Sequence, residues 1–463
     1  MYPSWVLAVL TLLAVCTPVF AEPAPQDRVY TADQNSNTVS VINPATNTLV
    51  GQIRLGNPRP DVLSPLYKGE INVHGLGFSP DHKTLIVVSN GSNAVTFVDT
   101  ATNKVKGTVY VGRSPHEGFF TPDGKEAWIV VRGENYLSVI DPKTYKETRR
   151  IGTTSGPGMV IFNPNGKYAY VCNSFNSVFE IVDVSNHKVV KKLEVVSPFS
   201  PFLVMTPDHK EVWLTHKDVG KVTRIDAQKM EVAGVFDTGF ITNHLHFAKT
   251  PSGTFAYVTV GGENAVKVFT VDAAPKLVAT IPTGALPHGI WPSDDGSRMY
   301  IGLENGDAVD VIDTAKNAVI ARVPIGQAPQ ALVYVSNAVP QGEGKENLVP
   351  RPATLENINI PLKPASGDAK GFVVVRNLGL VDIFEVSVFK LKPAAVYKVF
   401  LTGQKQPTAV LKTNDKGMAN VTAIGPLREA VSGLTAKAAE QSRIFVMEGE
   451  EAPDAAKAIL VSP

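Results

Sequence analysis

Histidine is scarce in this 463-residue chain, nine in all, yet five of them gather at one recurring place. Counting back six residues from the proline of a repeated turn reaches His74 (from Pro80), His116 (from Pro122), Gly158 (from Pro164) and Pro201 (from Pro207). His288 takes the place when Asp295-Gly296 is aligned with Asp123-Gly124. The fifth copy puts Leu245 there, flanked by His244 and His246, a one-residue offset of the kind a bulge makes. Gln330 completes a set of seven.

Neutral imidazoles converging from different strands are ligands for a borderline cation such as Cu, Zn or Fe. His74, His116, His244, His246 and His288 are therefore candidate metal ligands, and His216, at the start of a loop on the same face, could join them. Glu117 and Glu263 are candidate general bases, and Gln330, Glu134 and Glu304 candidate ligand-binding groups or partners of the imidazoles. A metal–nitrogen bond near 2 Å demands ring nitrogens about 3–4 Å apart. At wider separation the same residues would cap a channel or line a site for another molecule. His82, His187 and His209 sit in polar turns and read as solvated.

The elements that position these residues repeat with a period of about 40, the sign of stacked supersecondary units. Each unit has a first strand, a Pro-Asp-Gly turn, a second strand (Ala127–Val131, Tyr168–Cys172, Met299–Leu303), a polar turn, a third strand ending in Asp, and a Thr/Asn turn into a fourth. Asp99, Asp141, Asp183 and Asp226 mark the third-strand ends at near-constant spacing. Four strands per repeat at this period means propeller blades. Six blades are complete; residues 28–56 supply three strands of another and Ala328–Val335 its missing first strand. Joining the two fragments removes every free edge and sets the number at seven. The fold expected is all-β: a seven-bladed β-propeller closed by a composite N- and C-terminal blade, followed by a small β-sandwich-like domain.

Asn37-Thr38-Val39-Ser40-Val41-Ile42-Asn43-Pro44-Ala45-Thr46-Asn47, Val98–Asn103, Ile312–Asn317 and the Gly-x-x-Pro openings at Gly112, Gly284 and Gly326 carry a resemblance. Over about residues 28–337 the chain resembles the YVTN-type seven-bladed propeller family, which implies the fold but no single activity, since such propellers serve as enzymes, metal proteins and scaffolds. The histidine ring is similar to that of nitrous-oxide reductase, which holds copper in its channel; this chain has fewer histidines than such a cluster takes, and its second domain has no Cys/His/Met set. Pro287-His288-Gly289-Ile290-Trp291 resembles streptogramin-lyase-type propellers with a His/Glu/Mg²⁺ site, without their aromatic-led repeats.

At the N-terminus, the apolar run Val6–Phe20 followed by Ala21 and Glu22 reads as a cleavable secretory signal cut after Ala21, although Met1–Trp5 carries no Lys or Arg. Leu13-Ala14-Val15-Cys16 departs from a lipid-anchoring motif at Val15. The expected location is periplasmic or secreted, and no other run approaches the ~20 residues of a transmembrane helix. Past Cys16 the remaining thiol is Cys172, in a strand and suited to packing rather than catalysis. The organisation expected is a leader over 1–21, the propeller over 22–337, a Pro/Gly/Glu-rich linker over 338–357 and a β-rich domain over 358–463 that has no His or Cys. A Pro-rich insert, Asn57–Asn72, leads into His74 and has the makings of a cover over the channel. A net charge of +1 with dispersed basic residues gives no sign of a nucleic-acid partner. Three functions stay open: a transition-metal-binding or redox propeller, a scaffold binding a small molecule or protein at its top face, and a metal-dependent lyase or lactonase.

Overall fold

A computed structural model describes residues 23–55, 71–353, 357–377, 381–425, 427, 444–449 and 453–462. The leader, most of the Asn57–Asn72 insert and Arg428–Ser442, where the sequence allows a helical turn or a long loop, lie outside them. Seven four-stranded antiparallel sheets form the propeller. Blades one to six run from Val73 to Tyr110, Pro115 to Gly152, Pro157 to Glu194, Leu203 to Asp237, Thr242 to Pro282 and Pro287 to Pro324. Blade seven is composite, with Pro329–Val335 paired antiparallel to Arg28–Asp33 ahead of Thr38–Asn43 and Thr48–Arg54.

One aromatic position in the second strand explains how the blades pack. Trp128, Tyr170, Trp213, Tyr257, Tyr300 and Tyr30 occupy it in blades two to seven, all fully buried, and Ile86 stands there in blade one. The two tryptophans each donate their indole N–H to the glutamate two residues before, Glu126 and Glu211, at 2.7 Å. A large side chain thus fills the wedge between most blades, and at the two tryptophans its polar atom stays bonded. The Asn turns follow from backbone geometry: Asn37, Asn47, Asn93, Asn103 and Asn317 all take the left-handed conformation, φ between 49° and 57°, which Asn tolerates better than other side chains.

The Pro/Gly-rich segment expected as a linker is a strap. From blade seven it crosses to blade one, where Asn103 Nδ2 donates to the Gly344 and Glu346 carbonyls. It then pairs Val349 with Gln52, on the outermost strand of blade seven. Arg351 Nε donates to the Ile325 carbonyl at the end of blade six.

The C-terminal domain is the β-rich, sandwich-like unit expected, joined into one nearly closed eight-stranded antiparallel sheet. Its strands curl until Ala409–Lys412 and Ala419–Gly425, the two ends of the sheet order, come together. Inward-facing Val373, Val375, Phe384, Val386, Tyr397, Val399 and Val446 fill the interior, so short strands with alternating burial serve either architecture. This sheet sits on the propeller's top face. The rings of Phe389 and Phe240 meet edge to face at 4.7 Å, Asn357 Nδ2 donates to the Asn305 carbonyl, and Lys416 pairs with Asp218. No helix among the described residues is long and apolar enough to cross a membrane.

Ring closure can be tested at Leu332, whose side chain packs with Val29 on one side and with Tyr300 and Val309 of blade six on the other. Leu332→Ala is expected to lower the unfolding free energy by about 2–5 kcal/mol in a urea titration. A loss below about 1 kcal/mol would show that this strand does not carry the closure.

Candidate functional site

Every first strand begins, and every second strand ends, at the top of the channel, so each blade delivers two residues to its mouth. The second residue of the first strand gives one ring, His74, His116, Gly158, Asn243, His288 and Gln330, and Pro201, two residues ahead of the short strand Leu203–Met205, takes the equivalent place in blade four. A one-residue bulge sits at this place in six of the seven blades and turns these side chains off the sheet. The first residue beyond the second strand gives a second ring: Gln34, Asn90, Arg132, Ser174, Lys217, Gly261 and Glu304.

The fifth blade corrects the sequence reading. Its first strand, Thr242–Thr250, is nine residues long where most others have six, because its hairpin tightens until Thr250 pairs with Gly253. Counting from Pro251 therefore stops too soon. Register places Asn243 on the rim, His244 next and Leu245 inside the sheet. His246 lies deeper, its ring 4.7 Å from Trp291, and its Nδ1 accepts the Phe247 N–H.

Four imidazoles come together at the mouth in two pairs. The rings of His74 and His116 are 4.3 Å apart, those of His244 and His288 4.7 Å, and Phe202 stacks on His244 at 4.1 Å. Three of the four are tethered through Nδ1. His74 reaches Gln34 Oε1 at 2.7 Å, His116 the Gly158 carbonyl at 2.6 Å, and His288 Glu304 Oε2 at 2.8 Å. All three partners are oxygens that only accept, so Nδ1 must carry the hydrogen and Nε2 keeps its lone pair. Among the described residues no hydrogen bond reaches those Nε2 atoms. Burial keeps the rings neutral, aided at His74 and His116 by the Arg132 charge; at His288 burial outweighs the opposing pull of Glu304. Glu304 is itself raised by burial, but His288, Lys217 and Gln330 overcome this and hold it far below the usual carboxylate range.

The other candidates lie elsewhere. His216 is fully buried and saturated, with Nδ1 bonded to Ser200 Oγ and Nε2 to Thr223 Oγ1. Glu117 is buried beside Gly75, accepts the Leu76 N–H, and is pushed well above the ordinary carboxylate range by burial. Glu134 pairs with Arg113 and Glu263 with Lys267 in their own loops. Cys172 is buried and donates to the Ser200 carbonyl. Among the described residues, no three His, Cys, Asp or Glu side chains converge on one metal position.

Residue-by-residue inspection of the sequence missed Arg132, Lys217 and Asn243. Arg132 and Lys217 bring positive charge to the histidines. Asn243 Oδ1 and Ser174 Oγ are buried polar atoms at the mouth without a hydrogen-bond partner. The signal was present: applying the repeat to the residue after each second strand finds Arg132 and Lys217 alongside Glu304.

His216 offers a test of how strongly this interior excludes charge. Burial pulls it down to about 4, against about 6.5 when unfolded. Between those values the unfolded state binds more protons, so this histidine's contribution is complete above pH ~6.5 and is lost as pH falls toward the folded value. His216→Asn, which does not titrate, should lose less stability than the parent between about pH 6.5 and 4 in urea titrations. Parallel losses would contradict the desolvated environment.

Residues 126–323 match the YNCE-like beta-propeller family. No curated protein matches the chain significantly. Among solved structures, the chain is similar to hydrazine synthase of Kuenenia stuttgartiensis, with 23% identity and a TM-score of 0.52 over 57% of this chain and 89% of that one. It is similar to the periplasmic gluconolactonase of Pseudomonas aeruginosa, with 16% identity and a TM-score of 0.55 over 67% of this chain and 99% of that one. A functionally unknown protein from Desulfotomaculum acetoxidans DSM 771 gives 14% identity and a TM-score of 0.57 over the same shares. At these identities the likeness is one of fold. The chain is thus a seven-bladed β-propeller protein with YNCE-like repeats over residues 126–323, extended by a C-terminal eight-stranded sheet.

Proposed function

We propose that this is an exported ligand-binding propeller whose channel mouth takes a small hydroxylated organic acid. The observation that carries the reading is the pairing of three Nε2 lone pairs, on His74, His116 and His288, with the cations of Arg132 and Lys217. Lone pairs on neutral imidazoles accept hydrogen bonds from hydroxyl groups, and the cations match a carboxylate through charge-assisted bonds. A few convergent polar groups in a concave, largely preformed site are what small-molecule recognition uses. The apolar leader supports export.

A transition-metal site is the second reading, and one observation favours it: imidazoles that ligate metals are held through their other ring nitrogen by an acceptor, as these three are. His74 and His116 would supply two ligands to Cu, Zn or Fe, one fewer than the three protein ligands of an open site, and Arg132 and Lys217 oppose a cation there. A lyase or lactonase role would draw its base from His288, oriented by Glu304. Glu117, whose carboxyl burial pushes well above the ordinary range, and Glu263, paired with Lys267, are less suited.

Calorimetric titration with D-gluconate and L-lactate, alongside elemental analysis of the same untagged preparation, separates the readings. We expect saturable binding of at least one acid and a roughly 10–100-fold loss in Lys217→Met, the scale of one charge-assisted bond. Stoichiometric metal that disappears in His74→Ala/His116→Ala, with no binding of either acid, would overturn the anion reading and install the metal one.

A further inference from the structure

The C-terminal sheet covers the mouth on the side of Lys217 and Glu304. Above Lys217 and Glu304 lies a cavity of about 350 Å³ between the propeller and the C-terminal sheet, within the ~300–1,000 Å³ range of small-molecule sites. Both elements furnish its apolar wall: Phe199 and Ile241 from the propeller, Phe372, Phe389 and Met418 from the sheet. Its charges are largely spoken for. Asp218 pairs with Lys416 and Glu385 with Arg376, while the Glu304 carboxylate accepts the Nδ1–H of the neutral His288. Lys217 has no ion-pair partner among the described residues, and it touches both the cavity and the rim. Arg376, 1% exposed, fixes the roof to the floor: its Nη2 donates to the Glu304 carbonyl at 2.7 Å, and its Nε lies 3.5 Å from Asp307.

We infer that the ligand is an aryl-substituted hydroxy acid, its carboxylate on Lys217, its hydroxyl on the rim imidazoles and its ring in the cavity roofed by the C-terminal sheet. This rests on the anion reading of the rim and adds the part of the molecule that the rim does not explain. The walls are flat rings with a methionine, surfaces that pack against an aromatic group. Among the described residues lining the cavity Lys217 is the one cation, and it favours a negative charge at that end of the ligand. The C-terminal sheet, which has no titratable His or Cys to offer, acquires a role as half of the binding site.

The test compares two probes with one head group, L-lactate and L-3-phenyllactate, by calorimetric titration of the full chain. Phenyllactate should bind at least about tenfold more tightly, as burial of a phenyl ring implies. The ratio should move toward one in Met418→Ala and, separately, in Phe389→Leu, a milder change that keeps an apolar contact with Phe240. Equal affinities in the parent protein, or a ratio that both variants leave intact, would overturn the aryl assignment while the rim reading stands. Failure of both to bind while D-gluconate binds would overturn the aryl assignment alone, and failure of all three acids would remove the rim reading and this inference with it.

Discussion

An antiparallel pairing between Arg28–Asp33 and Pro329–Val335 holds seven sheets in a ring. Without it, blade seven would lack its innermost strand and the ring would present an open edge. The pairing is not left alone: Asp27 accepts from the Tyr334 hydroxyl and from the Asn337 N–H, and the strap bonds blade one, blade seven and blade six in turn. Closure matters to the site as well as to stability. His74 is anchored by Gln34, which follows the N-terminal strand, so the terminus that closes the ring also orients a rim imidazole.

From closure, the site follows by geometry. Seven inner strands starting at one face, with a bulge at the same place in six, each present one residue to one opening; the next strand of each blade returns to the same face with another. The protein uses the two rings differently. The first supplies mostly neutral acceptors and the second the formal charges, Arg132, Lys217 and Glu304. Holding an imidazole neutral needs burial, and holding its lone pair outward needs a tether on the opposite nitrogen. The structure supplies both at His74, His116 and His288, from three different kinds of oxygen: an amide, a backbone carbonyl and a carboxylate. The C-terminal sheet completes the enclosure, and through Arg376 it grips the loop that carries Glu304.

The propeller was legible because its punctuation is chemical. Pro-Asp-Gly turns, Asn in left-handed turns and β-branched runs each have a local physical cause, so spacing alone reported the blades and their composite closure. The rim was legible wherever the first hairpin kept its length. It failed at blade five, where extra pairing through Thr250 and Gly253 changed the count and hid Asn243. Of the tethers only Glu304 was legible, since Gln34 and His74 are distant in sequence and Gly158 contributes only a carbonyl. The curl of the C-terminal sheet was not, because alternating strands of similar length fit a sandwich or a nearly closed sheet equally well.

The central claim is that the rim imidazoles at His74, His116 and His288 are neutral, carry hydrogen on Nδ1 and face the channel with a bare Nε2. Long-range ¹H–¹⁵N correlation spectra of protein labelled at the histidine ring nitrogens read this directly, with assignments from single His→Gln variants. At neutral pH the account predicts the Nδ1–H tautomer for all three, opposite to the tautomer that free imidazole side chains favour in water. Nε2–H tautomers or imidazolium signals at these positions would contradict it.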